Sequence, residues 1–450
     1  MEQSVIWKKV GLGLLIGVVV FGISATMFNP VQAALLGTIA MMVALWTNEG
    51  LPLAVVSLLP IVLFPAFSIL ETKATAANYA HPIIFLFLGG FMLAIAVEKT
   101  GLHTWIADKM LNIFPNTARG IIISLAMTSG VLSAILSNTT TTLLLISIAL
   151  FLSEDPKLKM RFALAIAYGA SVGGIMTPIG TPPNLILLGI MQEKGMEMIP
   201  FFQWMWMVIP LAVMMFIGVS LILSIGVSNV RIEREKHDKP LDTDQKKVLT
   251  ILGGLIVLLL VNAPIRPYWD GLGLSEPGIL LAAGLLLFVP PFNLLDWMKD
   301  KNNIPFRIMF LFGAGFSIAK AFSGTGLADE FASYLVDLTS LGPVLMLLCV
   351  AALVTFTTEI TSNTALISIM LPIIYAVAQQ SGIDTTLFMM VATICASYAF
   401  MLPIATPPNA IAMSSGVVDV KTMAKYGFVF NLMGIGLIVL TALLFWQHVL

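Results

Sequence analysis

The chain has 450 residues, 58% of them hydrophobic and 10% charged, with a formal net charge of -1. A mean hydropathy of +0.97 excludes a soluble domain and makes this an integral membrane protein. No basic cluster of the kind nucleic acid needs is present, and Cys349 and Cys395, both in apolar runs, read as small buried hydrophobes rather than a disulfide or metal pair.

Apolar runs of about 17 to 25 residues follow one another, the length of a spanning helix, where barrel strands would alternate over about ten. The fold class is therefore all-α and polytopic. In chain order, spanning helices are expected at 10–28, 31–47, 51–70, 83–97, 162–190, 203–227, 247–263, 277–292, 304–321, 385–412 and 427–447, eleven crossings. The first lacks a small-residue cleavage site and reads as a retained helix rather than a signal peptide. Glu98 and Lys99 are expected to open an interfacial amphipathic stretch through Met110, with Trp105 at the headgroups. Pro60, Gly89 and Gly90 read as packing and kink positions.

Two stretches, 118–152 and 343–379, are too long for one helix and too interrupted for two, because Ser-Asn-Thr sits in the middle of each. Each reads as a re-entrant hairpin with a polar tip near mid-membrane. The helices at 162–190 and 385–412 are broken by Thr177-Pro178 to Pro183 and by Pro403 to Pro408, since proline removes a backbone donor and clashes with the preceding turn.

These interruptions are the visible part of an internal duplication. Ser137-Asn138-Thr139 recurs as Ser362-Asn363-Thr364, and Thr181-Pro182-Pro183-Asn184 as Thr406-Pro407-Pro408-Asn409, both at an offset of 225 residues. The same offset carries Pro52 onto Pro277 and Thr100-Gly101-Leu102 onto Thr325-Gly326-Leu327. The organisation expected is N-terminal scaffold helices over 1–50, a first repeat over 51–227, a linker over 228–246 and a second repeat over 247–450. Five crossings separate the helix near Leu51 from its copy near Glu276, so the repeats are expected to be inverted about a pseudo-two-fold axis in the membrane plane. With the N-terminus in the cytoplasm, only Lys73, Lys194, Arg266 and Lys320 of the 23 lysines and arginines fall outside, which sets the orientation in the cell membrane.

Four interrupted backbones at mid-depth supply free N–H and C=O groups together with Asn and Thr side chains. Helix N-termini attract an anion, while carbonyl, amide and hydroxyl oxygens suit a hard cation such as sodium. No lysine or arginine lies near any of the four breaks in sequence, so an anion would be held by dipoles, hydroxyls, amides and neighbouring cations.

The paired SNT and TPPN words resemble the divalent anion/sodium symporter family, which includes sodium-dependent dicarboxylate and citrate carriers, and the match covers nearly the whole chain. The resemblance implies eleven transmembrane helices, two re-entrant hairpins, a homodimer in the lipid bilayer and an elevator-type movement of a transport domain against a scaffold. It places substrate contacts on Asn138, Thr139, Thr181 and Pro182, and on Asn363, Thr364, Thr406 and Pro407. A first sodium site would use Ser133, Ser137, Asn138 and Gly180, and a second Thr358, Thr361, Asn363 and Ala405. It implies no catalytic residue and no cofactor, sodium being the coupling ion. The first hairpin departs from the second by carrying hydroxyls at Thr140 to Thr142 where the copy has Ala365 and Leu366.

Carrying a dianion into a cell held 100 mV negative costs about 4.6 kcal/mol, at about 2.3 per charge. Three or more sodium ions would offset it, and one-for-one exchange would avoid it. Sodium-coupled carriage of C4-dicarboxylates such as succinate, malate and fumarate is the function expected; sodium-independent dicarboxylate exchange, or carriage of citrate or sulfate, is the alternative.

Glu359, deep in an apolar segment three positions before Ser362, is expected to brace the second hairpin or to pair with a cation. From other classes, a passive channel and an arsenite or antibiotic carrier are weaker alternatives. An intramembrane hydrolase is suggested only by Gly169-Ala170-Ser171-Val172-Gly173, which matches Gly-x-Ser-x-Gly. A serine nucleophile needs a base, yet His81, His103, His237 and His448 fall at loops or helix ends on this layout.

Overall fold

The computed structural model describes residues 2–228, 230–232, 240–264, 268–335 and 342–450. Arg266 and the middle of the expected linker, with His237, lie outside the described residues. The first half holds α1 (Glu2–Ser24), α2 (Pro30–Asn48), α3 (Leu53–Ala66), α4 (Thr72–Ala77), α5 (Pro82–Lys99), α6 (Leu102–Ile113), α7 (Ala118–Ser133), α8 (Asn138–Ala149), α9 (Pro156–Gly174), α10 (Pro182–Glu193) and α11 (Phe201–Ser224). After α12 (Thr243–Asn262) the second half holds α13 (Glu276–Leu286), α14 (Trp297–Asp300), α15 (Phe306–Gly324), α16 (Leu327–Leu335), α17 (Pro343–Thr358), α18 (Asn363–Ser381), α19 (Thr385–Ala396), α20 (Pro407–Ser414) and α21 (Val420–Leu444).

The 225-residue offset reappears in the helix starts. It carries the first residues of α4, α6, α7, α8 and α10 onto those of α14, α16, α17, α18 and α20. Proline at the first helical position, where its missing N–H costs nothing, sets the starts of α10 and α20. The halves also pack crosswise: α5 lies on α13 and α3 on α15, while α10 lies against α18 and α19 and α20 against α8 and α9. Such reciprocal contacts are what a two-fold relation between repeats produces.

Small residues set how closely these helices approach. A Cβ on Gly169 would collide with the backbone of Ala126, and one on Gly173 with the backbone of Gly130. The Ser129 hydroxyl donates to Ile166 O at 2.7 Å and Thr177 Oγ1 to Ala134 O at 2.5 Å. The paired numbers rise together, so α7 and α9 run parallel in backbone contact. Between them α8 must bring the chain back to the end where α7 began, which makes α7 and α8 a helical hairpin. Gly89 gives the same close approach to Leu280 on α13, a packing role as expected of it.

Seven stretches among the described residues are long and apolar enough to cross a membrane, including Val5–Ser24, Thr72–Lys99, Phe201–Ser224 and Val420–His448. The expected spans at 51–70 and 277–292 are shorter as helices. Pro60 and Pro65 fall inside α3, which stops at Ala66, and α13 stops at Leu286 ahead of Pro290 and Pro291, neither of which can donate to a continuing helix.

Lys99 ends α5 rather than opening the amphipathic stretch, which begins at Leu102. Its Nζ meets Asp300 Oδ2 at 2.6 Å, and the same carboxylate accepts from Asp296 N at 2.7 Å. Burial would raise the Asp300 carboxyl, but these hydrogen bonds and the charges of Lys99 and Lys299 outweigh it and hold the group below its ordinary value. A carboxyl depressed by folding contributes stability above its unfolded value that is lost as pH falls through the folded one. Asp300→Asn should therefore lower thermal stability at pH 7 by about 0.5 to 1 kcal/mol, a gap that closes in strong acid when melting is followed against pH.

Candidate functional site

The four polar breaks lie where α7 gives way to α8, α9 to α10, α17 to α18 and α19 to α20. In the first half, Ser133 Oγ donates to Asn138 Oδ1 at 2.5 Å. The Asn138 amide lies over Gly174, where a Cβ would sit 2.8 Å from Oδ1, and Gly180 is folded onto the Gly174 carbonyl. Ser133, Asn138 and Gly180 are thus neighbours through Gly174. In the second half, Thr358 Oγ1 donates to Asn363 Oδ1 at 2.6 Å and reaches Ala396 O at 3.0 Å. The hydroxyl–amide pair therefore recurs at the repeat offset, each time against the end of the broken helix. Ala405 is buried in the second break, its N–H donating to Leu402 O at 3.2 Å.

Ser137 and Thr361 are engaged with their own turns. The Ser137 hydroxyl caps α8, accepting from Thr140 N at 3.1 Å and donating to Thr140 Oγ1 at 2.9 Å. Thr361 donates back to Thr357 O at 2.8 Å. Of the extra hydroxyls, Thr142 bonds back to Asn138 O at 2.7 Å, the common habit of membrane threonines.

Each expected anion contact stands at a helix start. Asn138 and Asn363 open α8 and α18, followed by half-buried Thr139 and buried Thr364. Thr181 and Thr406 are the N-cap residues of α10 and α20, with Pro182 and Pro407 next. Because α8 packs on α20 and α10 on α18, the SNT helix of each repeat lies beside the TPPN helix of the other. Four helix N-termini carry the motif residues, each with the partial positive charge of its free N–H groups.

Besides Glu359, Asn184, Asn409, Trp204 and Asn431 hold this geometry, and none of these four has a role read from the sequence. Asn184 Nδ2 donates to Thr177 O at 2.9 Å and Gly174 O at 3.4 Å; Asn409 Nδ2 donates to Leu402 O and Ala399 O, both at 3.0 Å. The last letter of each TPPN word thus ties down carbonyls of the half-helix before it. Trp204 Nε1 fixes Ile175 O at 2.9 Å. Glu359, only 3% exposed, grips the second broken helix rather than the hairpin alone. It accepts from Phe400 N at 2.8 Å, Met401 N at 2.9 Å, Leu402 N at 3.0 Å and Asn431 Nδ2 at 2.6 Å. A repeated asparagine beside a break, and Asn431 inside an apolar helix, were the signals available in the sequence.

The Gly-x-Ser-x-Gly match belongs to packing. Its glycines are the contact points of α9 on α7, and Ser171 is buried with its hydroxyl 3.3 Å from Ala167 O.

The family model for the citrate transporter matches residues 41–393. The sodium-dependent dicarboxylate transporter SdcS of Staphylococcus saprophyticus is 32% identical over 95% of this chain and 90% of its own length, and SdcS of Staphylococcus aureus strain USA300 is likewise 32% identical with the same coverage. Among solved structures, the YdaH transporter of Alcanivorax borkumensis superposes with a TM-score of 0.62 at 15% identity, over 82% of this chain and 86% of that one. MtrF of Neisseria gonorrhoeae gives 0.58 at 15% identity, over 83% of each chain; at such identity both show the shared fold alone. With an all-helical fold of mutually packed repeats, this is a multi-pass membrane transporter, not an enzyme, and the chain belongs to the citrate transporter family and with it to the divalent anion/sodium symporters.

Proposed function

We propose that this protein carries C4-dicarboxylates across the cell membrane coupled to sodium ions. The observation that carries the reading is the repeated oxygen pair, Ser133 with Asn138 and Thr358 with Asn363, beside helix N-termini. Neutral oxygens fit a hard cation, and helix N-termini fit an anion. The cation is cargo here, bound and released in each cycle. The first site takes Ser133, Ser137, Asn138 and Gly180 and the second Thr358, Thr361, Asn363 and Ala405, with Ser137 and Thr361 turning from their present partners. The anion lies between them against Asn138, Thr139, Thr181 and Pro182 of one repeat and Asn363, Thr364, Thr406 and Pro407 of the other. The names of the Staphylococcus relatives support both the dicarboxylate and the sodium dependence.

The hairpins α7–α8 and α17–α18 are re-entrant in this reading, the repeats are inverted, and the N-terminus is cytoplasmic. Contacts at helix ends support that layout because they join segments assigned to one side: Asn48 with Lys9 O and Gln245 with Thr100 O inside, and Gln32 with Thr325 O and Lys194 with Ser323 outside. An elevator-type movement within a homodimer completes the reading, supported by the family resemblance.

Uptake of labelled succinate into proteoliposomes tests it. Accumulation should require an inward sodium gradient, grow with an inside-negative potential if three or more sodium ions enter per dianion, and proceed without internal dicarboxylate. Sodium-independent uptake that needs internal substrate would overturn the coupling.

A further inference from the structure

We infer that this protein closes its opposite-facing state with a second set of contacts whose members stand apart in this structure: Leu143 on Gly90, Ile404 on Gly315, Ser414 on Phe91, and the turn after α20 in a cavity beside the end of α5. This rests on the inverted repeats of the transport reading above.

The two-fold relation between repeats holds inside two bodies and fails between them. Helices α3, α5, α13 and α15 pack in matched pairs, as do α8, α10, α18 and α20. Contacts from one body to the other are one-sided: α18 packs on α15 and α16, and α10 on α15 and α5. Exchanged at the offset of 225 residues, they would be α8 on α5 and α6, and α20 on α5 and α15. Among the described residues none of these four pairs packs to that extent. Two symmetric bodies in one-sided contact are displaced from their symmetric position. The displacement of opposite sense is its counterpart, with the same contacts made by the other repeat.

Side chains at the counterpart positions are held in reserve. Gly90 lies against Ile179, Gly315 against Ser368 and Gly189 against the Phe316 ring. The offset turns these pairs into Gly315 with Ile404, Gly90 with Leu143 and Ser414 with Phe91. Ser368 is 1% exposed, whereas Leu143 is 55% and Ile404 75% exposed, and Ser414 is exposed as well. Lipid covers apolar residues anywhere on a membrane protein, but it does not account for their standing at the counterparts of an interface. The end of α10 adds a polar match. Lys194 reaches across to Ser323 and lies 5.0 Å from the centre of the Tyr375 ring. Lys320 and Ser323 of α15 correspond to Ile95 and Glu98 of α5. There the place is open, a cavity of about 350 Å³ lined by Ile95, Glu98, Lys99 and Asn303. Asp419, at the offset from Lys194, is exposed on the turn between α20 and α21. Lys99, held by Asp300 at 2.6 Å, is the cation its carboxylate would meet in that cavity.

Crosslinking in proteoliposomes, with sodium and succinate on both sides so that the protein cycles, tests this. The parent has the exposed Cys349 replaced by Ser and keeps the buried Cys395. A protease site in the linker lets the two halves separate on a denaturing gel unless a bridge joins them. Three double variants are treated with a bifunctional maleimide about as long as a lysine side chain. Lys194→Cys with Ser323→Cys reports the contact seen here; Phe91→Cys with Ser414→Cys and Glu98→Cys with Asp419→Cys report the second set. Each pair should join its halves, and each bridge should stop succinate uptake, because the cycle needs both states. Halves that separate in both new pairs overturn the inference, and so does uptake that survives both new bridges. Glu98 and Asp419 are exposed, so that pair decides the matter if Phe91→Cys disturbs the core. A parent that takes up no succinate sinks the transport reading instead, and the gel, which needs no transport, still shows whether the second set of contacts forms.

Discussion

Replacing Gly173 by alanine should destabilise the protein by about 3 kcal/mol or more and remove most of its transport, although one methyl group is all that is added. The methyl has nowhere to go. It would strike the Gly130 backbone, and backbone on a packed helix yields far less than the end of a flexible side chain. Opening α7 away from α9 also shifts Ser133 and Ala134, the residues that meet Asn138 and Thr177 at the first break. Gly169→Ala should act in the same direction through Ala126. Gly436→Ala is the control, because nothing lies within 4 Å of a Cβ there, and it should be neutral or stabilising by up to about 1 kcal/mol through helix propensity. Ser171→Ala, between the two sensitive glycines, should change stability by no more than about 0.5 kcal/mol and leave uptake intact. Melting of the purified variants, read beside succinate uptake, checks the set. Equal melting of Gly173→Ala and Gly436→Ala would contradict the parallel contact of α7 and α9, and an inactive but stable Ser171→Ala would give that hydroxyl a part in transport.

Breaks were legible in this sequence because proline, glycine and asparagine interrupt apolar runs at matched positions, and apolar context makes polar residues conspicuous. Helix lengths were less so. Hydropathy runs on through Phe67 and through Val289, but α3 and α13 end early: α13 stops short of Pro290 and Pro291, which have no N–H to donate, and α3 stops just before Ser68, whose φ is 57°, and hydropathy registers neither. Ser133, Asn138 and Gly180 were grouped only through the family resemblance; the structure brings the three close together around Gly174. Ser137 and Thr361 carried the same hydroxyls, yet local turns claim them first. The partners of Glu359 were beyond reach: Phe400 to Leu402 and Asn431 lie 41 to 72 positions away, and no periodicity within one segment reports a contact made by folding.

Removing the Thr358 hydroxyl should cost sodium coupling while sparing the fold. Thr358→Val keeps the branched shape and loses only the oxygen that meets Asn363 Oδ1 and Ala396 O. The hydroxyl proton lies between those two acceptors. When a cation takes the amide oxygen, the proton can stay on Ala396 O, and the hydroxyl oxygen turns a lone pair to the ion with no donor left unsatisfied. Losing one oxygen from a charged partner is worth about 1.5 to 3 kcal/mol, so the sodium concentration giving half-maximal succinate uptake should rise at least about tenfold, at roughly 1.4 kcal/mol per decade. Thr358→Ser, which restores the oxygen, should stay within about threefold of the wild type. Ser133→Ala should give the same direction at the first site. The measurement is uptake against external sodium at zero membrane potential, with melting in sodium-free buffer as the control for folding. A normal sodium dependence in stable Thr358→Val would remove this hydroxyl from the ion's coordination and, with it, the argument that the repeated oxygen pairs are the coupling sites.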